Sequence, residues 1–510
     1  MPRVAKTKTK TTKVGTHCNP SHLSVPFGAA AMGNPPPDPI VLRGHGAEVQ
    51  CVSFAVVGGL ECLLSGDANG DVVGWDLATR RPAWRLGAHP PSSGVLSVEG
   101  FVEGASIRNL RDEPNAPTST THLLTQGRDG SLKCWRLGGD GGGPIGPSPV
   151  WQITTGSFHF CKFATTEVYG QTFSEQELNG NVTPWTPEIP PHRLIAVVGQ
   201  ETSVVDLLVA SRNNGTSRVE KDAELQTPMR LGSVSPIPNE TSPTDSEIRK
   251  LGTVMAVAFV DVQVDGQDVS ANSRTESESN PSSSKIKKLL LVGYEEGTCA
   301  LWEIDCFDFP SVSNQCDKKT TEPVWQEPVW HERVHGDAVT SVTNDFSPKT
   351  SGFVSAAADG GVARWKIDVA NFANDDDSKT FSKIQVTRVF DATRCSSSSH
   401  FATARNTHGI ASVACRDDGK IFATGGWDGR CVVYARGRGE KHETKEKENR
   451  GEKIASLKFH DDVVACVAFR TVYDSLGSPT PSHPKYAGWL ASGSRDGAIA
   501  LWPIFPPKTK

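Results

Sequence analysis

The chain has 510 residues, 37% of them hydrophobic and 22% charged, with a formal net charge of −5 at pH 7. That length fits several ordinary domains or one large repeat array, and the mild acidity gives no bulk-charge case for nucleic-acid binding. No apolar run nears the ~20 residues needed to span a bilayer, and the N-terminus lacks the apolar segment of a secretory signal. The 12 cysteines form neither a CxxC pair nor a zinc-spaced cluster. Cys51, Cys134, Cys299, Cys431 and Cys466 sit inside apolar runs, as reduced, buried thiols do.

In chain order, residues 1–34 come first, with Arg3, Lys6, Lys8, Lys10 and Lys13 and no acidic residue. They are expected to form a disordered basic tail; a nuclear-import or nucleic-acid-touching role is the sharper alternative. PIVLRG (39–44) is a short strand, expected to pair with the end of the chain. After it one phrase recurs. SGDANGDVVGW closes at Trp75 and TQGRDGSLKCW at Trp135. Residues 151–210 hold the strand runs FHFCKFAT, HRLIAVVG and SVVDLLVA but no full phrase. VGYEEGTCALW then closes at Trp302, SAAADGGVARW at Trp365, TGGWDGRCVVY at Tyr434 and SGSRDGAIALW at Trp502. Six residues before each aromatic stands Asn69, Asp129, Glu296, Asp359, Asp428 or Asp496, and glycine follows every one. A short polar residue followed by glycine makes a tight hairpin turn, and the alternation after it makes a strand. His45, His89, His335, His408 and His460 each come shortly before an apolar strand.

Histidine, strand, turn acid, strand and tryptophan, in that order, resemble WD40 repeats. The resemblance implies an all-β, seven-bladed WD40 β-propeller over residues 35–505, with 151–210 as a degenerate third blade. Blades are expected at about 40–85, 86–150, 151–210, 251–310, 324–370, 385–437 and 452–504. In such a blade the histidine, the turn acid and the Trp form one hydrogen-bonded network, so these residues are expected to be structural. Closing aromatics lie farther apart than the ~40–45 residues of a compact repeat. The excess is polar, in 211–250, 264–288 and 436–453, expected as disordered loops because they have little to bury. Thr227, Ser235 and Ser242 each precede proline; an unmodified loop is the plainer reading, phosphorylation the other.

No metalloprotease helix motif, P-loop or nucleophile elbow is present. Gly141, Gly143 and Gly146 spell G-x-G-x-x-G, but Pro144 lies inside and no helix pattern follows, so a flexible inter-blade loop is expected. No catalytic residue, metal or cofactor is expected.

Four stretches carry a narrower resemblance: PPPDPIVLRGH (35–45), LLLVGYEEGTCALWEID (289–305), ASVACRDDGKIFATGGWDGRCVVYA (411–435), and LKFHDDVVACVAF with LASGSRDGAIALWPIFPP at the end. Together they are similar to the ASTRA-associated protein 1 family, whose animal relatives are called G-protein β-subunit-like protein 1. That resemblance implies a non-enzymatic subunit of a multiprotein assembly linked to chromatin remodelling and to maturation of phosphatidylinositol-3-kinase-like kinases. It implies a nuclear location, with a cytoplasmic pool as an option, and protein partners; hydropathy and charge add the expectation of no membrane and no direct nucleic-acid contact, the basic tail left open. The long insertions and basic tail depart from the pattern and leave open which face binds. Other readings stay open. A ubiquitin-ligase substrate receptor would use Trp-Asp-x-Arg after a third strand, whereas Trp427-Asp428-Gly429-Arg430 falls in the turn. A G-protein β subunit would need an N-terminal heptad helix, which 1–34 lack. A peptide-reading propeller or an enzyme on this frame would show itself only in three dimensions.

Overall fold

The computed structural model describes residues 38–57, 60–103, 120–138, 142–156, 160–168, 192–210, 227–234, 251–264, 285–304, 328–345, 351–373, 380–391, 408–435, 452–470 and 488–504. The basic tail, Ser235, Ser242 and most of the three polar insertions lie outside them. β1 (Ile40–Arg43) is followed by the first blade, β2 (Val49–Val57), β3 (Leu60–Asp67), β4 (Asp71–Asp76) and β5 (Arg81–Gly87). The second holds β6 (Val95–Glu103), β7 (Thr120–Gly127), β8 (Ser131–Leu137) and β9 (Trp151–Thr154). The third holds β10 (Ala164–Val168), β11 (His192–Val198), β12 (Val205–Ala210) and β13 (Met229–Val234). The fourth holds β14 (Val254–Val264), β15 (Lys285–Tyr294), β16 (Thr298–Glu303) and β17 (Trp330–Arg333). The fifth holds β18 (Val339–Asn344), β19 (Ser351–Ala357), β20 (Val362–Ala373) and β21 (Thr380–Asp391). The sixth holds β22 (Ile410–Cys415), β23 (Ile421–Gly426), β24 (Arg430–Ala435) and β25 (Glu452–Lys458). The last is β26 (Val464–Phe469), β27 (Leu490–Ser494) and β28 (Ala498–Trp502), with β1 as its fourth strand.

Each sheet is a four-stranded antiparallel meander. Seven apolar clusters lie one at each blade–blade interface; Cys51 and Leu64 meet Val95 and Leu123, for example, and Val49 and Trp75 meet Cys466 and Ile499. Every blade contributes to two clusters, so the seven sheets form a closed ring. A single blade has two apolar faces; radial packing covers both and leaves only short outer edges. β1 completes the last sheet from the other end of the chain, Ile40 opposite Leu501 and Arg43 opposite Ala498, which removes the open edge that a linear array would expose.

The sheets and the repeated phrase are offset by one strand. β17, expected in the fifth blade, completes the fourth, and β25, expected to open the seventh, completes the sixth. β9 extends the second blade beyond residue 150. β13 and the start of β15 fall inside stretches expected to be insertions. The reason is physical: an outer strand is half wet and carries little apolar signal, as in RPAWRLG of β5 and WHER of β17. Residues 142–150 also depart from expectation. They form an ordered connection inside the second blade, with Ile145 N–H donating to Arg136 O at 2.8 Å and Gly143 against Trp84.

The turn glycines link neighbouring blades. Gly297 has φ +84°, a left-handed conformation that a side chain strains, and a Cβ there would stand 2.3 Å from the His335 carbonyl. Its own carbonyl accepts the backbone N–H of His335 at 3.0 Å, as Gly70 O accepts that of His89 at 3.1 Å. The turn of one blade thus places the histidine of the next.

Candidate functional site

The predicted network residues assemble most fully in the seventh blade. The Trp502 indole N–H donates to Ser492 Oγ at 3.0 Å. Ser492 Oγ lies 2.9 Å from His460 Nε2, and His460 Nδ1 lies 2.9 Å from Asp496 Oδ2. In the second blade Trp135, Thr125, His89 and Asp129 repeat the chain at 3.1 Å per link. In the first, Trp75 reaches Ser65 at 2.7 Å and Ser65 reaches His45 at 2.6 Å. In the fifth, Trp365 reaches Ser355 at 3.1 Å and Ser355 reaches His335 at 2.8 Å. One proton arrangement satisfies every link. Indole can only donate and carboxylate only accept, so Nδ1–H of histidine donates to the acid and Nε2 accepts from the hydroxyl. The hydroxyls were not foreseen, although Ser or Thr stands ten residues before the aromatic in these four phrases.

Other predicted members depart from this pattern. The carboxylate in the first blade is Asp67, 2.9 Å from His45, and not Asn69, whose backbone N–H donates to Asp67 at 3.0 Å. Asp359 accepts the Gly336 backbone N–H at 2.9 Å. His408 is exposed. It precedes Ile410 by two residues, whereas His45, His335 and His460 precede their strands by four, so it stops short of the sheet. Asp428 faces Arg430 at 3.7 Å, and Tyr434, without an indole N–H, stacks on Phe422. In the fourth blade Val292 occupies the hydroxyl position, and the fully buried Trp302 Nε1–H has no partner among the described residues. Since a buried unmet donor costs ~1–3 kcal/mol, Val292→Thr is expected to raise stability by about 1 kcal/mol in a denaturant melt. A fall in the midpoint would contradict this account of Trp302.

Burial dominates the electrostatics. It lowers the affinity of His89, His460 and His335 for protons, that of His335 to a pKa of about 4, and neighbouring carboxylates only partly offset it. His122, buried against Phe101, is likewise brought down to about 4 by burial and then by Arg136 and Arg193. For Asp129 and Asp496 burial pushes the carboxyl up, but hydrogen bonds received from Ser131, Ala498 and the histidines outweigh it, leaving both below the ordinary value. Because these histidines bind protons more weakly folded than unfolded, their contribution is complete above pH ~6.5 and is lost as the pH falls from there toward 4. His122 alone accounts for a loss on the order of 3 kcal/mol at the acid end. The melting temperature is therefore expected to be level from pH 8 to 7 and to drop between pH 6.5 and 4. A level profile down to pH 4 would contradict the buried, neutral histidines.

The relay histidines lie inside the blades. His89 and His460 are buried, and no described group of three His, Cys, Asp or Glu is placed to hold a metal ion. Burial also pushes the thiols up, Cys466 to about 11 and Cys431 to about 12, so they are poor nucleophiles. No helix among the described residues is long and apolar enough to cross a membrane.

A closed ring of seven four-stranded blades, carrying His–hydroxyl–Trp relays in four of them, defines a WD40 β-propeller. The family described as WD domain, G-beta repeat matches residues 397–434. Over nearly its whole length the chain resembles the ASTRA-associated protein 1 family. It is 25% identical to "ASTRA-associated protein 1" of Verticillium alfalfae, over 95% of this chain and 99% of that one. It is 26% identical to mouse "Guanine nucleotide-binding protein subunit beta-like protein 1", over 94% of this chain and 99% of that one. Among solved structures it is similar to the β-propeller domain of Myceliophteria thermophila Cps50 (Swd1), at 15% identity and a TM-score of 0.47, over 92% of this chain and all of that one.

Proposed function

We propose that this protein is a non-catalytic scaffold subunit of an ASTRA-type assembly, acting in chromatin remodelling and in the maturation of phosphatidylinositol-3-kinase-like kinases. The observation that carries the reading is the length of the resemblance: 91–95% of the chain aligns with several proteins named ASTRA-associated protein 1. The relay histidines His89, His335 and His460 are buried within blades, where their hydrogen bonds hold the sheets together. A rigid ring that presents loops on two faces suits multiprotein assembly. We further propose a nuclear location with an additional cytoplasmic pool, which the ASTRA reading implies.

Affinity purification of the tagged full-length protein from its own cells, followed by mass spectrometry, tests this. ASTRA subunits or kinase-maturation co-chaperones are expected. Recovery of a cullin-ligase adaptor or a Gγ chain in their place would overturn the reading.

A further inference from the structure

The residue just before the turn acid takes an equivalent place in six blades. Its backbone N–H is tied to a carbonyl at the entry of its own inner strand: Ala68 to Glu48, Arg128 to Ser93, Glu295 to Thr253, Ala358 to Ala338, Trp427 to Gly409 and Arg495 to Val463, each at 2.8–3.0 Å. The repeat therefore sets six side chains around one rim on pinned backbone. Only the sixth blade puts an aromatic there. Trp427 is 47% exposed, far more than the closing tryptophans, which are buried. Its ring rests on Gly409, where a Cβ would come within 2.5 Å of the indole. The Cε3–Cζ3 side of the indole thus lies against the Gly409 backbone, and about half of the residue is open to solvent. A Cβ on Gly409 would also stand 2.7 Å from the Ala358 carbonyl and one on Gly429 3.2 Å from that of Asp462, so these turns of blades five, six and seven lie side by side, an arc of the rim.

The charge along this arc selects the occupant. Asp337, Asp428, Asp461 and Asp462 are exposed along it. Arg430 is drawn to Asp428 at 3.7 Å, and Arg495 lies 3.8 Å from Glu48. Asp337, Asp461 and Asp462 make no ion pair among the described residues; the side-chain carboxylates of Asp337 and Asp462 accept the backbone N–H of the next residue. We propose that the arc centred on Trp427 docks an extended, Lys- or Arg-bearing segment of a protein partner, one cation lying on the indole and its neighbours on the carboxylates. A flat aromatic beside unneutralised carboxylates attracts a cation through both the ring quadrupole and the charge. Nucleic acid or an anionic membrane would meet the same carboxylates and be repelled. The inference rests on the scaffold reading only in that the occupant is a protein.

The test titrates the full-length protein with a fluorescent peptide of alternating Lys and Ala, with an alternating Glu and Ala peptide and a single-stranded oligonucleotide as controls. The Lys peptide is expected to bind, more weakly as salt rises. Trp427→Ala should weaken it about tenfold, the scale of one partly desolvated cation–π contact, and Trp427→Phe should restore most of it. Asp461→Asn with Asp462→Asn should weaken it independently, and all variants should keep the wild-type melting temperature. No Lys-peptide binding by the wild type, unchanged binding by Trp427→Ala, or tighter binding of the Glu peptide or oligonucleotide would each overturn the proposal. If wild-type and Trp427→Ala proteins recover the same ASTRA subunits from cells and the peptide binds both equally, the arc fails while the scaffold reading stands. If the wild type recovers none, the scaffold reading fails whatever the peptide does.

Discussion

Trp502→Ala is expected to lower folding stability by about 3–5 kcal/mol, the cost of removing a large buried aromatic. Trp502 is 2% exposed and packs with Ile421, Val433 and Val464 at the interface of the sixth and seventh blades. Its loss opens a cavity in the sheet that β1 must close, and Ser492 loses its indole donor. The seventh sheet joins both ends of the folded chain, so weakening it loosens the ring as a whole. Trp502→Phe keeps much of the volume but lacks the N–H, and should cost less, about 2 kcal/mol. Chemical denaturation followed by circular dichroism would measure both. Equal stability of Trp502→Ala and wild type would refute the packing account.

The second large effect is expected where the last blade meets the first. Arg470, just after β26, forms an ion pair with Glu61 of β3, and both side chains are only 5% exposed. The Glu61 carboxylate has no hydrogen-bond donor among the described residues beyond this contact. Removing one partner strands a buried charge, so Arg470→Ala or Glu61→Ala should cost about 3–5 kcal/mol. Replacing both, as Glu61→Leu with Arg470→Met, should recover most of that loss, because the penalty comes from the uncompensated charge. A double-mutant cycle reads this directly; strictly additive losses would contradict it.

Much of the fold was legible because a propeller repeats one solution. The turn acid and glycine, the strand after them and the closing aromatic form a phrase whose spacing survives in six blades. Two strands of the third blade were legible from HRLIAVV and VDLLVA, since strands buried on both faces read as apolar runs, whereas FHFCKFAT, also read as a strand run, meets β10 only at Ala164 and Thr165. Outer strands were hard to place because half-wet sequences such as EKIASLK carry no clear period. At the site, sequence pointed to the histidines and tryptophans but not to the hydroxyls between them. Ser65 and Thr125 are unremarkable residues until the sheet register brings them under the indole. His408 looked like a network member because a histidine before a strand was the signal; the two-residue difference in its spacing decides otherwise. Asn69 occupies the position of the turn acid, but Asp67 does the work from two residues earlier, at the end of the strand. The exposure of Trp427 depends on the backbone that pins it, which no spacing reveals.

The central claim is that the recurring His, Ser or Thr and Trp residues build the ring, while partners bind outside them. Thermal stability and partner recovery measured on the same Trp502→Phe protein test it most directly. A lowered melting temperature is expected, with wild-type recovery of partners at a temperature where the variant is folded. A wild-type melting temperature with partners lost would mean that the relay belongs to a binding site, and would contradict it.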